Sequence, residues 1–208
     1  MLDFWGDEMK DRKSKIFARH TDNWYVEPKW VSERLFDVED FGGLIVDPCA
    51  GGGNIISAAL SKGLDAQGYD LRDRGGSSVL SGYDFISGEG YLHGSSPFPN
   101  IVSNPPYGRH ISGRRIEEIF IERALKWSRG KVAVFLETKW ANAEKRGAWL
   151  ETLPLYREYR LGPRPSCPPG EYLLEGNKAG GGTKDYSWFV FLKGFQGSPT
   201  LHWLRRGG

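Results

Sequence analysis

Cysteine and histidine are scarce in this chain, and the few present are scattered. Cys49 and Cys167 share no CxxC spacing, and His20, His93, His110 and His202 stand apart from them. Neither a zinc cage nor a disulfide framework is expected on that pattern, and no metal site. No apolar run reaches the roughly eighteen residues that a transmembrane helix needs. The opening residues MLDFWGDEMKDRKSK carry charge where a signal peptide needs an apolar stretch, so a soluble cytoplasmic protein is expected. Internal repeats and heptads are absent, and so is a strong charge of either sign. With 28 Lys and Arg against 26 Asp and Glu the net charge is +2, which excludes a strongly basic arm and permits a basic face.

What is present suffices for a core: 39% of the 208 residues are apolar and 13% aromatic, the material of one ordinary domain. Residues 1–23 are mixed in charge and weakly periodic, and read as an arm. Pro28 opens a helix over residues 29–37. Short apolar or β-branched runs predict strands at 44–46, 66–70, 81–85, 101–103, 132–136 and 186–192. Helical periodicity appears at 55–60, 116–127 and 140–150. Residues 162–184, crowded with proline and glycine, form no regular element in this reading, and 194–208 are a tail. Strands alternating with helices predict an α/β sheet over residues 24–193, between the arm and the tail.

The first strand runs into Asp47-Pro48-Cys49-Ala50-Gly51-Gly52-Gly53-Asn54, and a helix follows. Glycines there let the backbone turn sharply and approach a ligand at the carboxyl ends of the strands. The next strand ends at Asp70, where a carboxylate can accept hydrogen bonds from ribose hydroxyls. Neither GxGxxG nor GxxxxGKS is present, and an acid beside a pyrophosphate would repel it. An ammonium or a sulfonium would instead be drawn to Asp47.

The second constellation, Ser103-Asn104-Pro105-Pro106-Tyr107-Gly108, also follows a strand. Two prolines in series fix φ and leave carbonyls rigidly presented, with Asn104 at a defined orientation. An Asn carbonyl and a proline carbonyl can each accept one hydrogen bond from an exocyclic amine, and Tyr107 offers a face for stacking a base.

Asp-Pro-Cys-Ala-Gly-Gly-Gly resembles the first motif of the class I S-adenosylmethionine-dependent methyltransferases. Asn104-Pro105-Pro106-Tyr107 resembles the (Asp/Asn)-Pro-Pro-(Tyr/Phe) motif of the amino-group enzymes among them. The resemblance implies a Rossmann-like, mostly parallel seven-stranded sheet with helices on both faces. It implies S-adenosylmethionine as cofactor, held by Asp47, Pro48, Gly51, Gly53, Asn54 and Asp70, with Asp84 and Phe85 at its adenine and Asn104 beside it. Trp24-Tyr25-Val26-Glu27-Pro28 is similar to the Tyr-x-Thr-Pro element of DNA adenine methylases, which adds Tyr25 and Pro28; Glu27 stands where that element has threonine.

The order of these motifs, and the tail Asp185-Tyr186-Ser187-Trp188-Phe189-Val190-Phe191, resemble the small adenine methylases of phages and prophages. That implies methylation of adenine N6 in duplex DNA with the base swung out of the stack. Phosphate contacts are then expected from Arg109, Arg114 and Arg115 beside the tetrapeptide, and from Arg164, Lys178 and Lys184 in the long loop. Methylation of ribosomal RNA or of a protein glutamine is the alternative within the same chemistry. An inactive nucleic-acid-binding module on the same fold is the alternative outside it.

Overall fold

The computed structural model describes residues 24–88, 98–108 and 110–207. The expected arm over residues 1–23 and the candidate Arg109 lie outside them. In chain order the elements are α1 (Lys29–Val38), β1 (Ile45–Asp47), α2 (Asn54–Ser61), β2 (Ala66–Asp70), β3 (Val79–Ser81) and β4 (Asn100–Ser103). A hairpin of β5 (His110–Ile111) and β6 (Arg114–Arg115) leads into α3 (Ile116–Trp127). Then come β7 (Lys131–Glu137), a 3-10 segment (Thr138–Asn142), α4 (Glu144–Leu150), β8 (Leu155–Gly162), α5 (Gly170–Leu174), β9 (Tyr186–Leu192) and β10 (Thr200–Arg205).

Eight of the strands form one sheet in the order β10-β8-β9-β7-β4-β1-β2-β3. All its neighbours are parallel except β9, which runs antiparallel to both β7 and β8. Side chains alternate between two cores, as a sheet covered on both faces requires. On one face Ala133, Phe135, Trp188 and Val190 pack with Val31 and Leu35 of α1 and Ile55 of α2. On the other, Val132, Val134, Leu136, Phe189 and Phe191 pack with Phe120 and Ile121 of α3. Trp188 is fully buried, and its indole N–H donates to the Val31 carbonyl at 3.0 Å. Among the described residues no helix is long and apolar enough to cross a membrane.

Several expectations are corrected. Among the described residues the sheet has eight strands rather than seven, because β10 pairs in parallel with β8; the sheet thus extends past residue 193, into residues read as a tail. The third strand lies at Val79–Ser81 and not at 81–85, since Gly82 takes a φ of 88° and turns the chain out of the sheet. The helix expected over 140–150 is broken at Ala143, whose extended backbone caps α4 and separates it from the 3-10 segment. The loop 162–184 is not wholly irregular: Pro169 caps the short α5 within it.

At the end of α1, Glu39 binds three partners at once. Lys131 Nζ lies at 2.5 Å, Arg157 Nη1 at 2.8 Å and the Tyr159 hydroxyl at 2.7 Å, tying the helix to β7 and β8. Burial alone would raise this carboxyl, but the bonds from Lys131, Tyr159 and Arg157 outweigh it and hold the carboxyl below the ordinary value. The stabilisation is therefore complete above the ordinary carboxylate range and is lost as pH falls through the lower, folded-state value. Glu39→Gln is expected to cost about 3 kcal/mol in urea unfolding at neutral pH and to weaken the acid dependence of stability. An unchanged midpoint in the variant would contradict this role.

Candidate active site

In the sheet β1 has β2 on one side and β4 on the other. The chain thus leaves β1 in one direction and resumes at β4 in the opposite one, which opens a crevice at the carboxyl ends of these two strands. Both sequence motifs open on it. A cavity of about 360 Å³ is lined there by Trp24, Glu27, Asp47, Asp70, Asn104 and Pro106, among others. That volume is in the range of small-molecule sites.

Asp47, 1% exposed, ends β1. Its Oδ1 accepts the Cys49 N–H at 3.0 Å and the Ser103 hydroxyl at 2.7 Å, so it also bonds the end of β4. Burial pushes its carboxyl well above the ordinary value, against the bonds from Ser103 and Cys49; the charges of Glu27 and Asp70 push it further. Asp70, at the end of β2, accepts the Gly51 N–H at 2.8 Å and the Arg72 N–H at 2.9 Å, which fixes the glycine loop to the second strand. The Arg74 guanidinium lies 3.5 Å from Asp70 and over the Trp24 ring. Gly53 caps α2, and Asn54 begins it.

Gly51 has a φ of 53°, and a Cβ there would come within 2.5 Å of Trp24 Nε1. Only glycine meets both demands, the left-handed backbone and the close approach. The segment from Trp24 to Glu27 thus crosses the glycine loop as a strap. It is held on its other side by the long loop: the Val26 N–H donates to Pro168 O at 2.9 Å, and the Gly170 N–H to Trp24 O at 3.0 Å.

Asn104 is gripped from that strap. Its Nδ2 donates to Tyr25 O at 2.9 Å and to Glu27 Oε2 at 2.7 Å, using both amide hydrogens. The Tyr107 hydroxyl reaches both Asn104 Oδ1 and Phe135 O, the latter at 2.8 Å. Burial pushes the phenol well above its ordinary value, so it remains a donor. Tyr107 is thus anchored by its hydroxyl, with its ring 6.5 Å from that of Tyr25. Glu27 was not singled out as a site residue from sequence. It is 6% exposed, its carbonyl accepts Asn54 Nδ2 at 2.8 Å, and burial pushes its carboxyl up to about 7, against the bond from Asn104.

The other candidates distribute unevenly. Tyr25, Pro48, Gly51, Asn54, Asp84, Phe85 and Pro106 reach the cavity wall. Asp84 also accepts the Ile86 and Ser87 N–H groups in a local turn, and Phe85 packs against Phe120 in the core. Pro105 is buried behind the wall, and Pro28 caps α1. Of the cations proposed for phosphate contacts, Arg114 pairs with Glu122, Arg164 with Asp185 and Lys184 with Glu137. Arg115 lies 3.9 Å from Glu117, and Lys178 is exposed in the long loop. Such exposed pairs are weak and can exchange partners with a phosphate. Among the described residues no group of three or more His, Cys, Asp or Glu is placed to hold a metal.

The cavity is therefore lined by buried carboxyls. Among the described ion pairs none involves Glu27 or Asp47. Such a site favours a ligand that brings positive charge, and the crevice beside it offers hydrogen-bond acceptors to an amine.

No family model and no curated protein matches the chain. Solved structures do. A protein from Listeria monocytogenes assigned as a class I S-adenosylmethionine-dependent methyltransferase is 14% identical with a TM-score of 0.59, over 92% of this chain and 68% of that one. The methyltransferase subunit of a type I restriction-modification system from Streptococcus thermophilus is 13% identical with a TM-score of 0.60, over 85% of this chain and 46% of its own. A protein from Pyrococcus horikoshii assigned as an RNA methyltransferase is 17% identical with a TM-score of 0.51, over 79% and 81%. The chain thus spans less than half the length of the Streptococcus subunit. Its fold is that of the class I S-adenosylmethionine-dependent methyltransferases, here with an eighth strand at the edge of the sheet.

Proposed function

We propose that the chain transfers a methyl group from S-adenosylmethionine to the exocyclic N6 amine of adenine in DNA. One observation carries the reading: the acidic glycine-loop site and two residues of the Asn-Pro-Pro-Tyr turn, Asn104 and Pro106, line a single cavity. A donor held by the first thus lies beside an acceptor held by the second. When bound, S-adenosylmethionine supplies a methyl group activated by a sulfonium. Asp47 and Asp70, with the backbone of residues 48–54, would hold it, and Asp84 and Phe85 line the neighbouring wall. The buried carboxyl of Asp47, which has no cation among the described ion pairs, fits its positive charge.

Asn104 and the turn's proline carbonyl do the work on the acceptor. The lone pair of adenine N6 is delocalised into the ring. Two fixed acceptors favour a pyramidal nitrogen and localise that pair. Asn104 Oδ1 has two lone pairs, so it can accept the Tyr107 hydroxyl with one and the amine with the other. Because the strap consumes both Asn104 amide hydrogens, the carbonyl has one orientation available before the substrate arrives, which lowers the cost of positioning. DNA is favoured as acceptor by the order of strap, glycine loop and Asn-Pro-Pro-Tyr turn, and by the likeness to a restriction-modification methyltransferase subunit.

The test is transfer of tritium from methyl-labelled S-adenosylmethionine to unmethylated duplex DNA, total RNA and a protein extract in parallel. Label is expected in N6-methyladenine from DNA; label confined to RNA or protein would overturn the substrate. Asn104→Ala is expected to lower transfer about 10²–10³-fold while calorimetric affinity for S-adenosylmethionine stays within a few fold. Asp47→Asn should instead weaken that affinity about tenfold, because a bound cation draws the buried carboxyl toward its charged form and an amide cannot supply that charge, a difference worth about 1.5–3 kcal/mol. Equal loss of affinity in both variants would contradict the division of roles.

A further inference from the structure

Glu27 is a buried acid with no cation among its described ion pairs, and the methyl-transfer chemistry above makes no direct use of it. Its side chain spends its hydrogen bond on the amide of Asn104, at 2.7 Å, while its backbone carbonyl holds Asn54 at the start of α2, at 2.8 Å. One residue therefore touches both the cofactor loop and the catalytic turn. It lies on a strap packed between the glycine loop and the long loop.

We propose that Glu27 is the positioning residue of the catalytic turn, its carboxylate gripping the Asn104 amide so that Oδ1 stays presented to the acceptor amine. The inference rests on the methyltransferase reading and extends it to a residue outside both motifs. The physical ground is the donor inventory of an amide. Asn104 Nδ2 has two hydrogens; one goes to the Tyr25 carbonyl, the other to Glu27. A flipped amide would set its oxygen against two acceptors, so the orientation is fixed while Glu27 is charged. A neutral Glu27 loses the charge assistance, about half the strength of the bond, and can turn an O–H toward Asn104 instead.

The groups facing Glu27 are Asp47 from β1, Tyr107 from the turn after β4 and Cys167 from the long loop; from α2 it meets the uncharged Asn54. Burial pushes the Tyr107 phenol and the Cys167 thiol up, so both are neutral while Glu27 ionises. Asp47 is the other carboxyl in reach, and substituting Glu27 alone separates the two. With the Glu27 carboxyl pushed up to about 7, the grip tightens as pH rises through neutrality.

The test combines a structural and a kinetic readout on the full chain. In protein labelled with ¹⁵N-asparagine, the Asn104 side-chain amide, assigned by its loss in Asn104→Asp, is followed across about two pH units either side of 7. It is expected to titrate near 7 in the native chain and to stay constant in Glu27→Gln. The rate of transfer to duplex DNA should rise about five- to tenfold through the same midpoint. In Glu27→Gln it should be flat with pH and close to the native low-pH value. An Asn104 amide that does not titrate in the native chain overturns the proposal whether or not Glu27→Gln folds, as does an unaltered rate–pH profile in the variant. Titration of the amide in a chain that labels no acceptor would sustain the grip and sink the methyltransferase reading instead.

Discussion

The Ser103 hydroxyl donates to Asp47 across 2.7 Å, and this bond joins the ends of the two strands on which the site is built. It is made possible by register. Ile45 and Val46 of β1 pair with Asn100 and Ile101 of β4, so Val102 stands level with Asp47 and Ser103, one residue further on, brings its hydroxyl within reach of the carboxylate. The chemistry-bearing residues then diverge: β1 continues into the glycine loop, β4 into the rigid prolines. Because the two strands are adjacent and parallel, the crevice between those loops has an acid on one wall and an amide on the other. A relative shift of one residue would bury Ser103 elsewhere and leave Asp47 with only the Cys49 N–H as partner, at the cost of one buried hydrogen bond to a carboxyl.

The parts outside the sheet serve that crevice. The strap from Trp24 to Glu27 roofs it, and the roof is stapled in place by Pro168 and Gly170 of the long loop. Gly51 and Gly170 leave room for the Trp24 indole from two sides. The long loop thus has two portions with different physics. Residues 167–170 are held against the strap, whereas 175–181 are exposed and carry Lys178. A contact of the second portion with a nucleic acid would lie in the same loop that holds Asn104 indirectly through the strap.

Much of this was legible in the sequence because the central strands are uniformly apolar and end in unmistakable turns. Leu44 to Val46 before Asp-Pro, and Ile101 to Ser103 before Asn-Pro-Pro, announce both strand and site. The edge strands were not legible. In β8 only Tyr159 and Leu161 are buried while Arg160 is exposed, and the β10 strand buries little besides Leu204, so neither has a buried apolar run. The break at Ala143 depends on backbone angles that no residue type there demands. Glu27 was hidden for another reason. It differs from the threonine of the element it resembles, and its value lies in a partner 77 residues away that only the fold brings near.

The proposed transfer requires one crevice to serve both donor and acceptor. Hydrogen exchange measured with and without S-adenosylmethionine tests this most directly. It predicts slowed exchange in the strap at 24–28, in the glycine loop at 47–54 and around Asp70 and Asp84, with the far edge formed by β8 and β10 unaffected. Slowed exchange confined to another face of the sheet, or none at saturating ligand, would contradict it.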